Sequence, residues 1–226
     1  MGPAISVIVP AYNEAAVIAA TLARVQQVLS PHELMVVDAG GDATAEIAGR
    51  YARVLRSSAT RGAALNQAAK QATGEVLLFL HADTLLPGDA AAAIAAVLAD
   101  PGVVAGAFQL RLDDPSRAAR LVAAGVNLRS RLLKSFYGDQ AMFVRRAAFL
   151  RAGGFRDWSV MEDLEILGRL RRQGKLVIVA AAVTTSARRH RQQGWLRTVA
   201  LIWVISLLFR LGIPAERLAR LYRPRR

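Results

Sequence analysis

The chain has 226 residues, 54% hydrophobic and only 6% aromatic, which is long and apolar enough to bury a core and excludes a disordered chain. It holds no cysteine, excluding disulfides, thiolate zinc sites and a cysteine nucleophile. Its net charge of +13 leaves three anionic partners to weigh: nucleic acid, a lipid surface, or a phosphate-bearing substrate.

Met1-Gly-Pro-Ala leads straight into 5–10, an apolar run that reads as a buried strand. No basic leader precedes it, so the body is expected on the cytoplasmic side. A polar turn at 11–14 precedes a helix over 15–29, stopped by Ser30-Pro31. Strand 33–38 ends in Asp38, and Gly40-Gly41 turns the chain into a helix over 43–51. A short strand follows at 53–56, and Arg61-Gly62 opens a helix over 63–72. The run 76–80 lies between Gly74 and the polar His81-Ala82-Asp83-Thr84 and lacks any polar alternation. It therefore predicts a strand covered on both faces. Strand and helix alternate throughout, which predicts an α/β domain with a mostly parallel sheet.

The second half predicts a helix over 88–98, a strand over 103–112 and an amphipathic helix over 116–133 with arginines on one side. A short strand at 141–145, a helical turn at 147–152 and Gly153-Gly154 follow. Helix 162–172 opens with Glu162, Asp163 and Glu165, and a strand closes the body at 175–183. Residues 1–187 read as one domain and 188–226 as an apolar, helical tail with ten arginines and a single acid, Glu216.

The carboxyl ends of strands in an open α/β sheet face the ligand crevice. Asp38 and Asp83 stand at two such ends, His81 lies two residues before Asp83, and Glu162-Asp163 opens a later helix. Each has a plain structural alternative. Asp38 and Asp83 suit turns and caps, and acids at a helix start favour the dipole. His81 reads equally as a hydrogen-bonded loop histidine, Tyr12 as packing, and Arg61 as a solvated cation.

Loop wording narrows the choice. Val9-Pro-Ala-Tyr-Asn-Glu14, Val37-Asp38-Ala-Gly-Gly-Asp42-Ala-Thr44, Arg61-Gly62-Ala-Ala-Leu-Asn66, Gly74-Glu75 before the Asp83 strand, Gly153-Gly-Phe155 and Glu162-Asp163 together resemble family 2 glycosyltransferases of the GT-A fold. The likeness runs over about residues 4–185. His81-Ala-Asp-Thr84 and the Arg-rich tail resemble a small stand-alone bacterial subgroup associated with radical-SAM and arsenosugar genes, although no residue here shows arsenic chemistry. The resemblance implies a nucleotide-diphosphate sugar donor, most simply a UDP-sugar, with Mn²⁺ or Mg²⁺ and an inverting transfer. It makes Asp83 the metal-binding carboxylate, with Ala82 beside it and His81 where the family's Asp-x-Asp motif has its first Asp. It makes Asp38 the reader of the nucleobase, and Pro10, Tyr12 and Glu14 the loop around base and ribose. Arg61 would face the diphosphate. Asp163 would be the catalytic base, with Glu162 orienting it or binding acceptor. Gly138-Asp139-Gln140 would line the acceptor side, and His190 would be a second metal ligand. A neutral imidazole at 81 can ligate Mn²⁺ or donate to a hydroxyl, but it does not restore the missing negative charge.

The uncharged run 198–209 is twelve residues long, against about 20 for a membrane span. Flanked by arginines and tryptophans, it reads as an interfacial helix on anionic lipid, giving peripheral contact with the inner face of the cell membrane. A core or homodimer-interface helix reads equally well. An interfacial tail suits a lipid-linked acceptor; a small-molecule acceptor stays open. Three other readings compete. A nucleotidyltransferase expects a basic Gly-rich first loop, which acidic Ala11-Tyr-Asn-Glu14 lacks. A catalytically weak, membrane-associated binder is argued against by Asp38, Asp83 and Asp163. A nucleic-acid binder expects interleaved aromatics beside the positive charge.

Overall fold

The computed structural model describes residues 2–30 and 33–221. The first half is β1 (Ile5–Ala11), α1 (Ile18–Leu29), β2 (Glu33–Asp38), α2 (Thr44–Ala48), β3 (Arg53–Arg56), α3 (Arg61–Gln71) and β4 (Val76–Phe79). β1 pairs in parallel with β2 and β4, and β2 with β3. The alternation of strand and helix demands this, because parallel neighbours need a crossover. Every residue of β4 is buried, as a strand covered on both faces should be. α1 starts three residues later than expected, because Val17 N–H bonds the Glu14 carbonyl in a turn (3.0 Å).

The second half is β5 (Thr84–Leu85), α4 (Ala90–Leu98), β6 (Val103–Leu112), α5 (Arg117–Leu133), a 3₁₀ turn at Gly138–Gln140, β7 (Met142–Arg145), α6 (Arg146–Arg151), α7 (Glu162–Arg171), β8 (Lys175–Thr185), α8 (Arg188–Gln193), α9 (Trp195–Arg210) and α10 (Ala215–Leu221). The eight strands lie in the order β3-β2-β1-β4-β7-β6-β8-β5. Here the simple parallel repeat stops. β7 runs antiparallel to both β4 and β6, and β5 runs antiparallel to β8. Sequence could not tell direction for β7, because an apolar run buried on both faces looks the same either way. β5 and the 3₁₀ turn were not expected from sequence; each is too short to carry a period.

The sheet separates two core layers. Val7, Val9, Leu78 and Leu80 face α1 and α4 with Ile18, Leu22 and Ile94. Ile8, Leu77 and Phe79 face α3, α6 and α7 with Leu65, Phe149 and Leu167. The two-residue period of a strand sends alternate residues to opposite layers. Phe79, Phe149 and Phe155 pack tilted or edge-to-face, at 4.9–5.3 Å between ring centroids. The tail packs on the body: Ile205 of α9 and Leu218 of α10 are buried with Val160, and Phe209 meets Trp158 edge-on at 5.9 Å. Among the described residues no helix is long and apolar enough to cross a membrane.

Candidate functional site

The site forms at the carboxyl ends of β1, β2 and β4. Register puts Ala11 beside Asp38, and Pro10 beside Val37. Asn13 takes a left-handed φ of 55° and accepts the Gly41 N–H at 3.0 Å. A Cβ on Gly40 would lie 2.6 Å from the Asn13 nitrogen, so only glycine lets the two loops touch. Asp42 accepts the N–H groups of Thr44 (2.9 Å) and Ala15 (3.2 Å), and the Thr44 bonds hold its carboxyl below the usual range. Thr44 Oγ1 in turn accepts the Glu14 N–H at 2.8 Å. The spacing of the first two motifs is thus the wiring of one clasp. Asp38 is buried, accepts the Gly40 N–H at 3.0 Å and pairs with Arg56. Arg56 was missed by sequence reasoning; it reaches Asp38 because β2 and β3 align them. Tyr12 stands 49% exposed, so its ring is not core packing.

Two later motifs are wired together in the same way. Asn66 Nδ2 donates to the Phe155 carbonyl, and the Phe155 N–H returns to Asn66 Oδ1, both at 2.9 Å. Gly154, at φ +71°, has no room for a Cβ beside that amide. Gly62 has none either: a Cβ there would sit 1.9 Å from the Arg156 carbonyl. This close approach fixes Arg61 at the start of α3.

Arg61 sits between two partners. Its Nε is 2.7 Å from Glu162 Oε1, and its Nη2 is 2.6 Å from His81 Nε2. Arginine only donates, so His81 accepts at Nε2 and carries its proton on Nδ1. Burial first, then the Arg61 charge, hold the His81 pKa well below its ordinary value, so the ring is neutral. Glu162 is buried, and that burial raises its pKa; Asp163 adds to the rise and Arg61 opposes it. A Cβ on Gly138 would meet His81 Nε2 at 2.5 Å. The Gly138 N–H donates to Asp163 Oδ2 at 2.8 Å.

Asp83 is half-buried. Burial raises its carboxyl pKa, Glu14 adds to this, and Arg188 opposes it. Arg188 also holds Glu14 in a two-pronged ion pair at 2.7 and 3.0 Å. The Ser186 N–H donates to the Asp83 carbonyl at 3.1 Å, and the buried Ala82 carbonyl accepts from Thr21 at 2.7 Å. The first arginine of the tail therefore belongs to this corner, which sequence gave no means to see. Asp139 completes the group. Its carboxyl is raised to about 6, mainly by burial, with Arg129 opposing and both Asp163 and Asp83 adding. Its Oδ1 is buried without a hydrogen-bond partner among the described residues.

Asp139 gives a pH test. Its folded pKa lies above the ordinary 3.8, so the folded state binds the extra proton, and this stability is present below about pH 4 and lost as pH rises through about 6. Asp139→Asn is expected to melt above the wild type at pH 8, with the gap closing towards pH 4. A gap that does not change with pH would contradict the burial of an ionised group.

Among the described residues no three His, Asp or Glu side chains gather into a preformed cation cage. A hard cation beside a diphosphate needs only one or two carboxylates, with phosphate oxygens and water completing its shell. Asp83 and the unpartnered Asp139 Oδ1 fit that donor chemistry. His190 instead stacks on Trp195 at 5.0 Å, and burial, then Arg189, lowers its pKa.

The family model described as Glycosyl transferase family 2 matches residues 6–156. Comparison with curated proteins gives no match. Among solved structures, the mannosyltransferase PcManGT from Pyrobaculum calidifontis, in complex with GDP-Man and Mn²⁺, is 25% identical with a TM-score of 0.69, covering 91% of this chain and 61% of that one. This chain therefore spans about three fifths of that protein's length. Glucosyl-3-phosphoglycerate synthase from Mycobacterium tuberculosis, with Mn²⁺, UDP and phosphoglyceric acid, is 21% identical with a TM-score of 0.65, covering 94% and 80%. S. aureus TarS 1-349, with UDP-GlcNAc, is 20% identical with a TM-score of 0.65, covering 81% and 58%. The last two likenesses are of fold.

Proposed function

We propose, from the premise that this chain belongs to glycosyl transferase family 2 and has its GT-A fold, that it moves a sugar from a nucleotide-diphosphate sugar to an acceptor hydroxyl with inversion. The observation that supports this reading is a chain of hydrogen bonds: the Gly138 N–H donates to Asp163, the next carbonyl, of Asp139, accepts from Thr185 Oγ1, and Thr185 bonds Thr84, the neighbour of Asp83. In this reading a base for the acceptor and an anchor for the leaving group would work on one bound donor.

Asp83, with Asp139 near it, would hold Mn²⁺ or Mg²⁺ against the diphosphate. Bound there, such an ion neutralises charge on the leaving group as a Lewis acid. Arg61 and Arg188 supply fixed positive charge at the same corner. Neutral His81 keeps the Arg61 guanidinium aimed and carries no negative charge against the phosphates. Asp38 accepts from a nucleobase N–H, while Pro10, Tyr12 and Glu14 close around base and ribose. Asp163, fixed by the Gly138 amide, takes the acceptor proton; Glu162 holds Arg61 behind it. For His190 to ligate the ion, its ring would have to leave Trp195. The donor nucleotide is UDP or GDP, the two kinds carried by the related structures. The acceptor is a small molecule or a lipid-linked group. Residues 1–187 form the catalytic domain. The tail, 188–226, lends Arg188 to the site and otherwise serves a membrane face or a second copy. The tie to radical-SAM and arsenosugar genes rests on His81-Ala-Asp-Thr84 and the Arg-rich tail.

A second reading, a catalytically weak nucleotide-sugar binder, is favoured by His81 alone, where the motif has a carboxylate. Calorimetric titration of UDP and GDP with and without Mn²⁺, followed by an assay for sugar release from the matching donor, separates the readings. Metal-dependent binding with release supports the enzyme, binding without release the second reading. No binding of either nucleotide sinks both.

A further inference from the structure

The helix over 116–133 was expected to be amphipathic, with arginines on one side. Its inner face does pack Ala119, Val122 and Val126 against Leu110 and Leu112. Yet Leu121, Leu128 and Leu132 lie on the outer face, each more than half exposed. Their spacing of seven and four residues keeps them in one stripe. α9 repeats the arrangement. Thr198 and Ile205 point inward and are buried, while Trp203, Leu207 and Leu211 point outward, each more than half exposed. The two helices touch. Six large apolar side chains on adjoining helices far exceed the scattered apolar residues of an ordinary surface.

The charges around this face select its occupant. Arg120 and Arg131 on α5, and Arg197 and Arg210 on α9, are exposed beside the stripes, and neither helix contains an acid. Two copies meeting through this face would set arginine against arginine, with no carboxylate in either helix to answer them. An anionic lipid surface answers both features: acyl chains take the leucines and tryptophan, and phosphates take the arginines as their stems lie along the boundary. With no described helix able to span a bilayer, contact is confined to the surface.

We propose that the outer faces of α5 and α9 dock this protein on an anionic membrane and set the acceptor side of its site against the lipid headgroups. The link is short. Tyr137 Oη bonds Ser206 of α9 at 2.7 Å, and Arg129 of α5 lies over the Tyr137 ring at 4.0 Å. The next residue, Gly138, donates to Asp163. Tyr137, held by both helices, is thus one residue from the amide that fixes the acid assigned as base. A lipid-anchored acceptor hydroxyl fits this placement. That last step rests on the glycosyltransferase reading; the docking itself does not.

The test is flotation of the full chain with vesicles of phosphatidylcholine alone and of phosphatidylcholine mixed with phosphatidylglycerol, for wild type, Leu128→Glu and Leu207→Glu. Nucleotide titration on the same samples reports an intact fold. Expected is flotation with the anionic vesicles only, weakened by salt, and reduced about tenfold or more in each variant with nucleotide binding kept. If a variant unfolds, the wild-type dependence on phosphatidylglycerol and salt still decides. Absence of wild-type flotation overturns the proposal. So does a lipid-free dimer that the same variants dissolve, which would make a second copy the occupant. Nucleotide binding that fails while flotation holds would sink the enzymatic reading and leave the docking face standing.

Discussion

Asp163→Asn is expected to lower turnover by about 10²–10⁴-fold, the usual contribution of a positioned general base, with nucleotide affinity unchanged. The substitution is nearly isosteric. Its amide oxygen can still accept the Gly138 N–H now bonded to Asp163 Oδ2, at the expense of the Leu164 N–H bonded to Oδ1, so the loop keeps its place while the capacity to take a proton is lost. A fall in kcat with no change in nucleotide binding marks an interaction made in the transition state. An unchanged kcat would reduce Asp163 to an acid that favours the start of α7.

Asp83→Ala is expected to remove the Mn²⁺-dependent part of nucleotide-diphosphate binding and, with it, turnover. Charge neutralisation by a bound cation is worth several kcal/mol, roughly 10²-fold or more. Calorimetric titration of the nucleotide against wild type and variant, each with and without Mn²⁺, reads this directly. Because burial and Glu14 raise the Asp83 carboxyl and a ligand must be deprotonated, wild-type metal affinity should also climb with pH through the acidic range. Wild-type binding that ignores Mn²⁺ would leave the diphosphate to Arg61 and Arg188 alone.

The places of those acids, Asp83 after a strand and Asp163 at a helix start, were legible in the sequence because each is marked by a local pattern. An unbroken apolar stretch followed by Asp83 marks a covered strand and its mouth. Several motif glycines were legible for the same reason. Gly40 lets one loop touch Asn13, Gly62 passes the Arg156 carbonyl, and Gly154 turns left-handed beside Asn66. At Gly40 and Gly62 a side chain is excluded by nearby backbone, and at Gly154 by the Asn66 amide and the left-handed φ.

What the sequence could not carry were relations across long separations. Arg188 reaches Glu14 only because β8 and β5 bring the tail's start to the Asp83 corner. Arg56 meets Asp38 through strand register. His81 meets Arg61 only because α3 sets that guanidinium against its Nε2, and Asp139 gains its raised pKa only where burial and two distant acids converge. The direction of β7 was hidden because burial on both faces erases the pattern that would report it. α5 kept its secret for the opposite reason: its period gives two apolar stripes, and only the neighbours it packs against decide which one faces out. Periodicity and backbone sterics are properties of adjacent residues and were fixed by the chain itself. Pairing, charge environment and exposure depend on which distant surfaces meet, and the tertiary structure alone decided those.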